Sequence, residues 1–301
     1  MKLSNINLFW VILILTGCSN NNTFIRITYP EGNVKSLLMS YDDGTIEDIE
    51  LAKLFNDNKI IGTFNLNSEY LGMIRGWPLQ NGDTVYQEYI SKDLLYDVYK
   101  NHEISAHGAF HKGLTSLTDD EILIEIESDI LNLQKLTNRQ IKSMAYAFGN
   151  TNEHIAKLIV GTGLTNARTI NDTYKFDLPN DNFIWNPTCH DSRALDYLNE
   201  YLLLESPKLT VFYVWGHSWE FKDQTRWTGI TEFCEQIGSR NDIWYAGTGT
   251  FIDYLNAIKK LEITQSKIFN PKENLPIWIE LSSGIQILNP GQKIKLAAKE
   301  I

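Results

Sequence analysis

Short apolar strand segments alternate with amphipathic helical segments from residue 36 to about residue 262, and this rhythm limits the chain to few folds. Ser36–Tyr41 (SLLMSY) reads as a strand, and Ile46–Asn58 places apolar residues at helical spacing. Gly62–Leu66, Glu103–Ala106, Lys142–Phe148, Leu164–Arg168, Leu209–Trp215 and Ile243–Ala246 read as further strands. Between them, helices are expected over Ser91–Lys100, Thr118–Leu136, Asn152–Val160, Ser192–Leu204, Thr231–Ile237 and Thr250–Leu261. Thr118-Asp119-Asp120-Glu121 has the form of a capping box opening its helix. Such alternation calls for a parallel sheet with helices outside it, and about seven strands suit a barrel better than an open sheet. No Gly-x-Gly-x-x-Gly follows the first strand, so a dinucleotide fold has no support.

Both ends of the chain break the rhythm. Residues 1–18 combine Lys2, an apolar run over Leu8–Leu15 and the tetrapeptide Leu15-Thr16-Gly17-Cys18. The run is too short to span a bilayer and ends in small residues, as a cleaved export signal does. Leu-Thr-Gly-Cys resembles a bacterial lipobox, which implies lipidation of Cys18 and an exported, membrane-anchored lipoprotein. Residues 19–35 would be a tether and lead-in. Residues 263–301 contain short alternating segments separated by Ser-Ser-Gly and Asn-Pro-Gly, and read as a small β appendage in which Trp278 packs in the core. Cys189 and Cys234 have no Cys-x-x-Cys partner and are expected to be separate buried thiols.

A net charge of −10, without a Lys/Arg run, argues against a nucleic-acid partner. The chemistry-bearing residues fall just after strands. Asp42-Asp43-Gly44 closes the first; neighbouring side chains of an extended chain point apart, so one carboxylate can hold a metal ion while the other acts as a base. His107 and His111 are four apart, the spacing at which a helical turn brings two imidazoles to one ion. No Glu follows His107, which excludes the His-Glu-x-x-His arrangement. His217 follows the strand Leu209–Trp215 and can protonate a leaving group if it stays off the metal. His102, His154 and His190 are assigned no role, although His190 lies beside Asp191.

In these residues the chain resembles the polysaccharide deacetylase (NodB-homology) family of carbohydrate esterases. Ser40-Tyr41-Asp42-Asp43-Gly44 is similar to that family's first motif, His107-Gly-Ala-Phe-His111 to its second, Ala145-Tyr146-Ala147-Phe148-Gly149 to its third and Val214-Trp215-Gly216-His217 to its last. The resemblance implies a distorted (β/α)7 barrel over residues 36–262. It implies Asp42 as general base, His217 as general acid and the Phe148 N–H as an oxyanion donor. Asp43, His107 and His111 would hold a divalent metal, with Zn2+ first among those a His2Asp site accepts. The partner would be an acetylated poly- or oligosaccharide losing N- or O-linked acetyl groups. Two departures stand out. Ala145 occupies the place of the Arg that partners the catalytic Asp, with Arg168 at the next strand end as its candidate replacement. The family's Asp-Trp motif is missing, leaving Asp172, Asp177 and Asp191 as candidates to orient His217. These departures keep open a second reading, a glycan-binding surface lipoprotein without catalysis, and a third, hydrolysis of another amide or ester.

Overall fold

The computed structural model describes residues 12–15, 23–78 and 82–296. Cys18 and most of the expected export signal lie outside the described residues. Among the described residues no helix is long and apolar enough to cross a membrane.

Eight parallel strands form the central sheet: β1 (Lys35–Asp43), β2 (Gly62–Leu66), β3 (Glu103–Ala106), β4 (Ser143–Ala145), β5 (Asn166–Arg168), β6 (Cys189–His190), β7 (Thr210–His217) and β8 (Ile243–Tyr245). Seven run side by side in the order β6-β7-β1-β2-β3-β4-β5. The eighth, β8, pairs with Lys35–Leu37 at the start of β1, while β2 pairs with Met39–Asp43 at its end. The sheet curls, and an irregular segment bridges its two ends: Trp185 pairs with Arg168 of β5, and Thr188 donates to the Tyr213 carbonyl of β7. This is the expected distorted barrel. All nine residues of β1 are buried, as befits a parallel strand covered on both faces.

Helices α1 (Asp48–Asp57), α2 (Leu95–Tyr99), α3 (Asp119–Thr137), α4 (Glu153–Ile159), α5 (Ala194–Leu203), α6 (Gln224–Ile237) and α7 (Thr248–Lys259) connect the strands. The capping box at Thr118 is formed in both directions. α6 begins earlier than its periodicity predicts, because Asp223 caps the N–H of Thr225. β1 also runs further than expected, through Asp42 and Asp43, where pairing with β2 and β7 continues. Cys189 and Cys234 are separate buried thiols.

The lead-in to the barrel pairs with a C-terminal strand. Thr23–Thr28, inside the expected tether, is a strand paired antiparallel with Ile277–Leu281 on one side and Ile12–Leu15 on the other. Ile25 and Ile27 join Ile277 and Ile279 in a second core against Ile252, Leu255 and Ile258 of α7. Trp278 packs beside it. The C-terminal strands therefore form separate sheets that seal the lead-in strand to α7.

Candidate active site

In a parallel sheet all carboxyl ends share one rim, which here gathers Asp42, Asp43, His107, Arg168 and His217. Asp42 is in register with Asn65 of β2 and His217 of β7. Asn65 Nδ2 donates to Asp42 Oδ1 at 2.7 Å. Asp43 takes a left-handed backbone (φ 79), which turns its carboxylate away from that of its neighbour.

The two histidines do not sit on a helical turn. His107 and His111 belong to a loop in which Gly108 and His111 adopt positive φ, 82 and 53. A Cβ on Gly108 would lie 2.8 Å from a carboxylate oxygen of Glu125, so only glycine fits there. Helix α3 shapes this loop with two buried acids one turn apart. Glu125 accepts from the N–H groups of Phe110 and Lys112, and Asp129 accepts from those of His107 and Ser68. Those hydrogen bonds replace helix formation and still bring both imidazoles together.

His107 Nε2 lies 3.6 Å and His111 Nε2 3.4 Å from Asp43 Oδ1. The ligand atoms of all three residues fall within 4.8 Å of one another. His107 Nδ1 is 2.9 Å from the Ala145 carbonyl and donates to it, which leaves Nε2 facing Asp43 as the ligand atom. Burial, followed by the neighbouring His107, holds His111 down at about 4 and hence neutral. Trp219 donates to the other oxygen, Asp43 Oδ2, at 2.8 Å. Imidazole lone pairs facing a carboxylate oxygen repel it unless a cation lies among them, so the donor set fits a divalent metal.

Asp42 is held apart from this cluster. Arg168 Nη2 contacts its Oδ1 and Oδ2 at 2.5 and 2.6 Å, with the guanidinium buried. Burial alone would raise the Asp42 pKa; Arg168, then His107 and His217, outweigh it and bring it to about 2. Arg168 thus stands where the Ala145 position leaves a gap.

The carboxylate on His217 is neither Asp172, Asp177 nor Asp191. Glu220, three residues on in a short 3-10 turn, lies 2.9 Å from His217 Nδ1. Asp172 instead accepts from Trp215 Nε1 and the His190 N–H, Asp177 lines a separate cavity, and Asp191 pairs with Arg226. Arg226 also holds Glu220 at 2.6 Å. Burial would lower the His217 pKa, but the Glu220 hydrogen bond, with Asp43 and Asp42, lifts it to about 9. His190 reaches the same Glu220 oxygen at 3.4 Å. His102 is a buried acceptor for the Gly62 N–H, and His154 pairs with Asp119 at the surface.

Phe148, with φ 60, sets its ring 4.5 Å from that of His111, between centroids. It lines a cavity of about 350 Å³ over the cluster together with Trp77, Trp215 and Trp219. Sequence reasoning missed Glu220, Trp219 and the hairpin Ile74–Pro78/Thr84–Glu88 that carries Trp77. Glu220 at three residues beyond His217 is a signal that was available; the hairpin, interrupted by Gly76 and Pro78, gives little.

Residues 30–167 match the family model described as polysaccharide deacetylase. A crystal structure described as a polysaccharide deacetylase from Mycobacterium smegmatis aligns with a TM-score of 0.55 at 14% identity, covering 77% of this chain and 94% of that one. A family 4 carbohydrate esterase from Streptomyces lividans, solved with acetate, aligns with a TM-score of 0.46 at 13% identity over 70% of this chain and 91% of that one. A family 4 pseudoenzyme from Bacillus anthracis gives 0.45 at 14% identity, covering 74% and 66%. No curated protein shows significant sequence similarity.

Proposed function

We propose, from the match of residues 30–167 to the polysaccharide deacetylase family model, that the chain is a metal-dependent hydrolase that removes acetyl groups from a carbohydrate. The observation that carries this reading is the separation of two neighbouring carboxylates into different tasks. Asp43 faces two imidazoles, while Asp42 faces a guanidinium.

Asp43, His107 and His111 would hold the cation, with Zn2+ as the first candidate. When bound it supplies positive charge that polarises the acetyl carbonyl and acidifies water. Asp42 accepts the proton of the attacking water. Arg168 and Asn65 fix the direction of its oxygens, so the base does not swing onto the metal site. The Phe148 N–H supports the oxygen that gains charge during attack. His217 gives its proton to the departing amine or alcohol, and Glu220 on Nδ1 keeps that imidazole charged and aimed. Acetate and the free sugar amine or hydroxyl are the products. Anchoring through lipidated Cys18 would place this chemistry on an exported, membrane-bound protein.

The test is acetate release from a panel of acetylated glycans, measured after chelation and again after Zn2+ is restored. Release that follows the metal supports the proposal. Absence of release from every glycan despite stoichiometric bound metal defeats it and favours the glycan-binding reading. That second reading rests on the missing Asp-Trp motif, but Arg168 and Glu220 supply partners to both proposed catalytic groups.

A further inference from the structure

A second set of metal-ligating side chains shares no residue with the Asp43 cluster. His190, His217 and Glu220 each place one ligand atom within 4.8 Å of those of the other two. Their common point is Glu220 Oε1, 2.9 Å from His217 Nδ1 and 3.4 Å from His190 Nε2. His190 ends β6, His217 ends β7 beside it, and Glu220 lies on the 3-10 turn that follows. Parallel pairing sets His190 opposite Trp215, and its ring packs edge-on against that indole with centroids 4.7 Å apart.

The groups around this cluster are arranged as a cation needs them. Glu220 divides its oxygens: Arg226 Nη1 takes Oε2 at 2.6 Å, which leaves Oε1 to the two imidazoles. On the other side of the His190 ring, Nδ1 has Ser192 Oγ at 3.0 Å and Asp191 Oδ1 at 3.3 Å. The Ser192 N–H also points at Nδ1, at a long 3.4 Å. A proton on Nδ1 bonded to either oxygen fixes the tautomer whose Nε2 lone pair faces Glu220, as a carboxylate behind a metal-bound imidazole does. Asp172 accepts the His190 N–H at 3.1 Å. Three carboxylates thus touch the two histidines, with one guanidinium, Arg226, paired to two of them, so neutral imidazoles leave a local negative charge. The His190, Glu220 and His217 side chains are 18%, 18% and 23% exposed, so an ion reaches them from solvent without any unfolding.

We propose that His190, His217 and Glu220 form a second, weaker divalent-cation site of the zinc type, and that an ion bound there disables His217 as proton donor. Two imidazoles and one carboxylate are a ligand set that zinc takes, with water completing the tetrahedron. The site is the weaker one because the Nδ1 proton of His217 must leave for solvent when the ion binds. His217 then becomes a neutral, metal-bound imidazole. Its remaining Nε2–H is a far weaker acid than an imidazolium, so the departing amine or alcohol goes unprotonated. The loss of activity rests on the proposed deacetylase reading; the binding of the ion stands apart from it.

The test titrates the purified full chain with Zn2+ alone, followed by calorimetry and elemental analysis. Wild type is expected to take up two ions in separate steps, and His190→Gln and Glu220→Gln to take up one each, at the tighter step. Acetate release from an N-acetylglucosamine tetramer and from 4-nitrophenyl acetate is then read at one equivalent of zinc and in excess. The second ion should lower turnover of the tetramer by about tenfold or more. It should affect the ester far less, because nitrophenolate departs without a proton. His190 has no part in the proposed chemistry, so His190→Gln should keep its one-equivalent rate within about twofold and lose the inhibition. A single ion per wild-type chain, or two ions in either variant, overturns the second site. Two ions with undiminished turnover of the tetramer, or with equal loss for both substrates, overturns its action on His217. If no acetate is released at any zinc level, the deacetylase reading fails, the claim about the proton donor falls with it, and the ion counts alone decide the site.

Discussion

Arg168, at the end of the fifth strand, holds both carboxylate oxygens of Asp42, at the end of the first, with Nη2 at 2.5 and 2.6 Å. Both side chains are buried, so neither charge has water as an alternative partner. Removing one member of such a pair leaves a charge without compensation, at a cost of about 3–5 kcal/mol. Arg168→Ala is expected to lower Tm and to move the acid limb of the pH–rate profile upward. The sign follows from the guanidinium favouring the charged form of Asp42; without it, burial raises the pKa and protonated base persists to higher pH. Arg168→Lys keeps the charge but not the planar fork, and should recover stability better than activity. The pH dependence of kcat/KM and thermal unfolding of both variants check this.

Glu220 acts on the other side of the site. Its carboxylate on His217 Nδ1 favours the imidazolium, the form able to give a proton. Glu220→Gln removes that preference, so the His217 pKa falls and the alkaline limb of the profile moves to lower pH. Glu220→Asp should recover part of the shift. An alkaline limb unchanged in Glu220→Gln would contradict the assignment of His217 as the proton donor.

What was legible in the sequence was whatever obeyed a period or a strand end. The alternating segments predict the barrel, and Asp42, Asp43 and His217 sit at strand ends that the apolar runs mark. Arg168 was foreseeable because strand ends in a parallel sheet converge. The partners supplied from turns and helix faces were harder. Glu220 lies on a short 3-10 turn, and its pairing with His217 depends on how that turn bends. Glu125 and Asp129 look like ordinary helix acids until α3 packs them under the His107–His111 loop. The His107 and His111 spacing pointed to two imidazoles that do come together, but not on a helical turn, because Glu125, Asp129 and positive φ at Gly108 shape the loop instead. Thr23–Thr28 looks like a tether because its partner strand is about 250 residues away, beyond any local pattern.

Base and ligands separate by their failures. Asp42→Asn should retain stoichiometric zinc while losing about 10²–10⁴-fold in turnover, since the three candidate ligands stay in place. His107→Ala should lose both zinc and turnover. Metal content by elemental analysis, beside acetate release, distinguishes the two. Trp219→Phe should weaken zinc binding without abolishing it, because its indole N–H only orients Asp43 through Oδ2.

Stability carries its own pH signature, from an acid outside the proposed chemistry. Asp48, in the first turn of α1, is buried and accepts the Tyr99 hydroxyl proton at 2.6 Å. Burial outweighs that hydrogen bond and raises its pKa from 3.8 to about 7. Between those values the folded chain holds a proton that the unfolded chain releases. Its contribution to stability is therefore full below 3.8 and is lost as pH rises to about 7, by an amount of the order of a few kcal/mol. Asp129, also buried and raised to about 7, has the same sign. Asp48→Asn keeps the shape and removes this titration, so the slope of unfolding free energy against pH in this range should become less negative by about 1.4 kcal/mol per pH unit, one proton's worth. Denaturant unfolding from acid to neutral pH measures it, and an unchanged slope would show that Asp48 stays ionised in the folded chain.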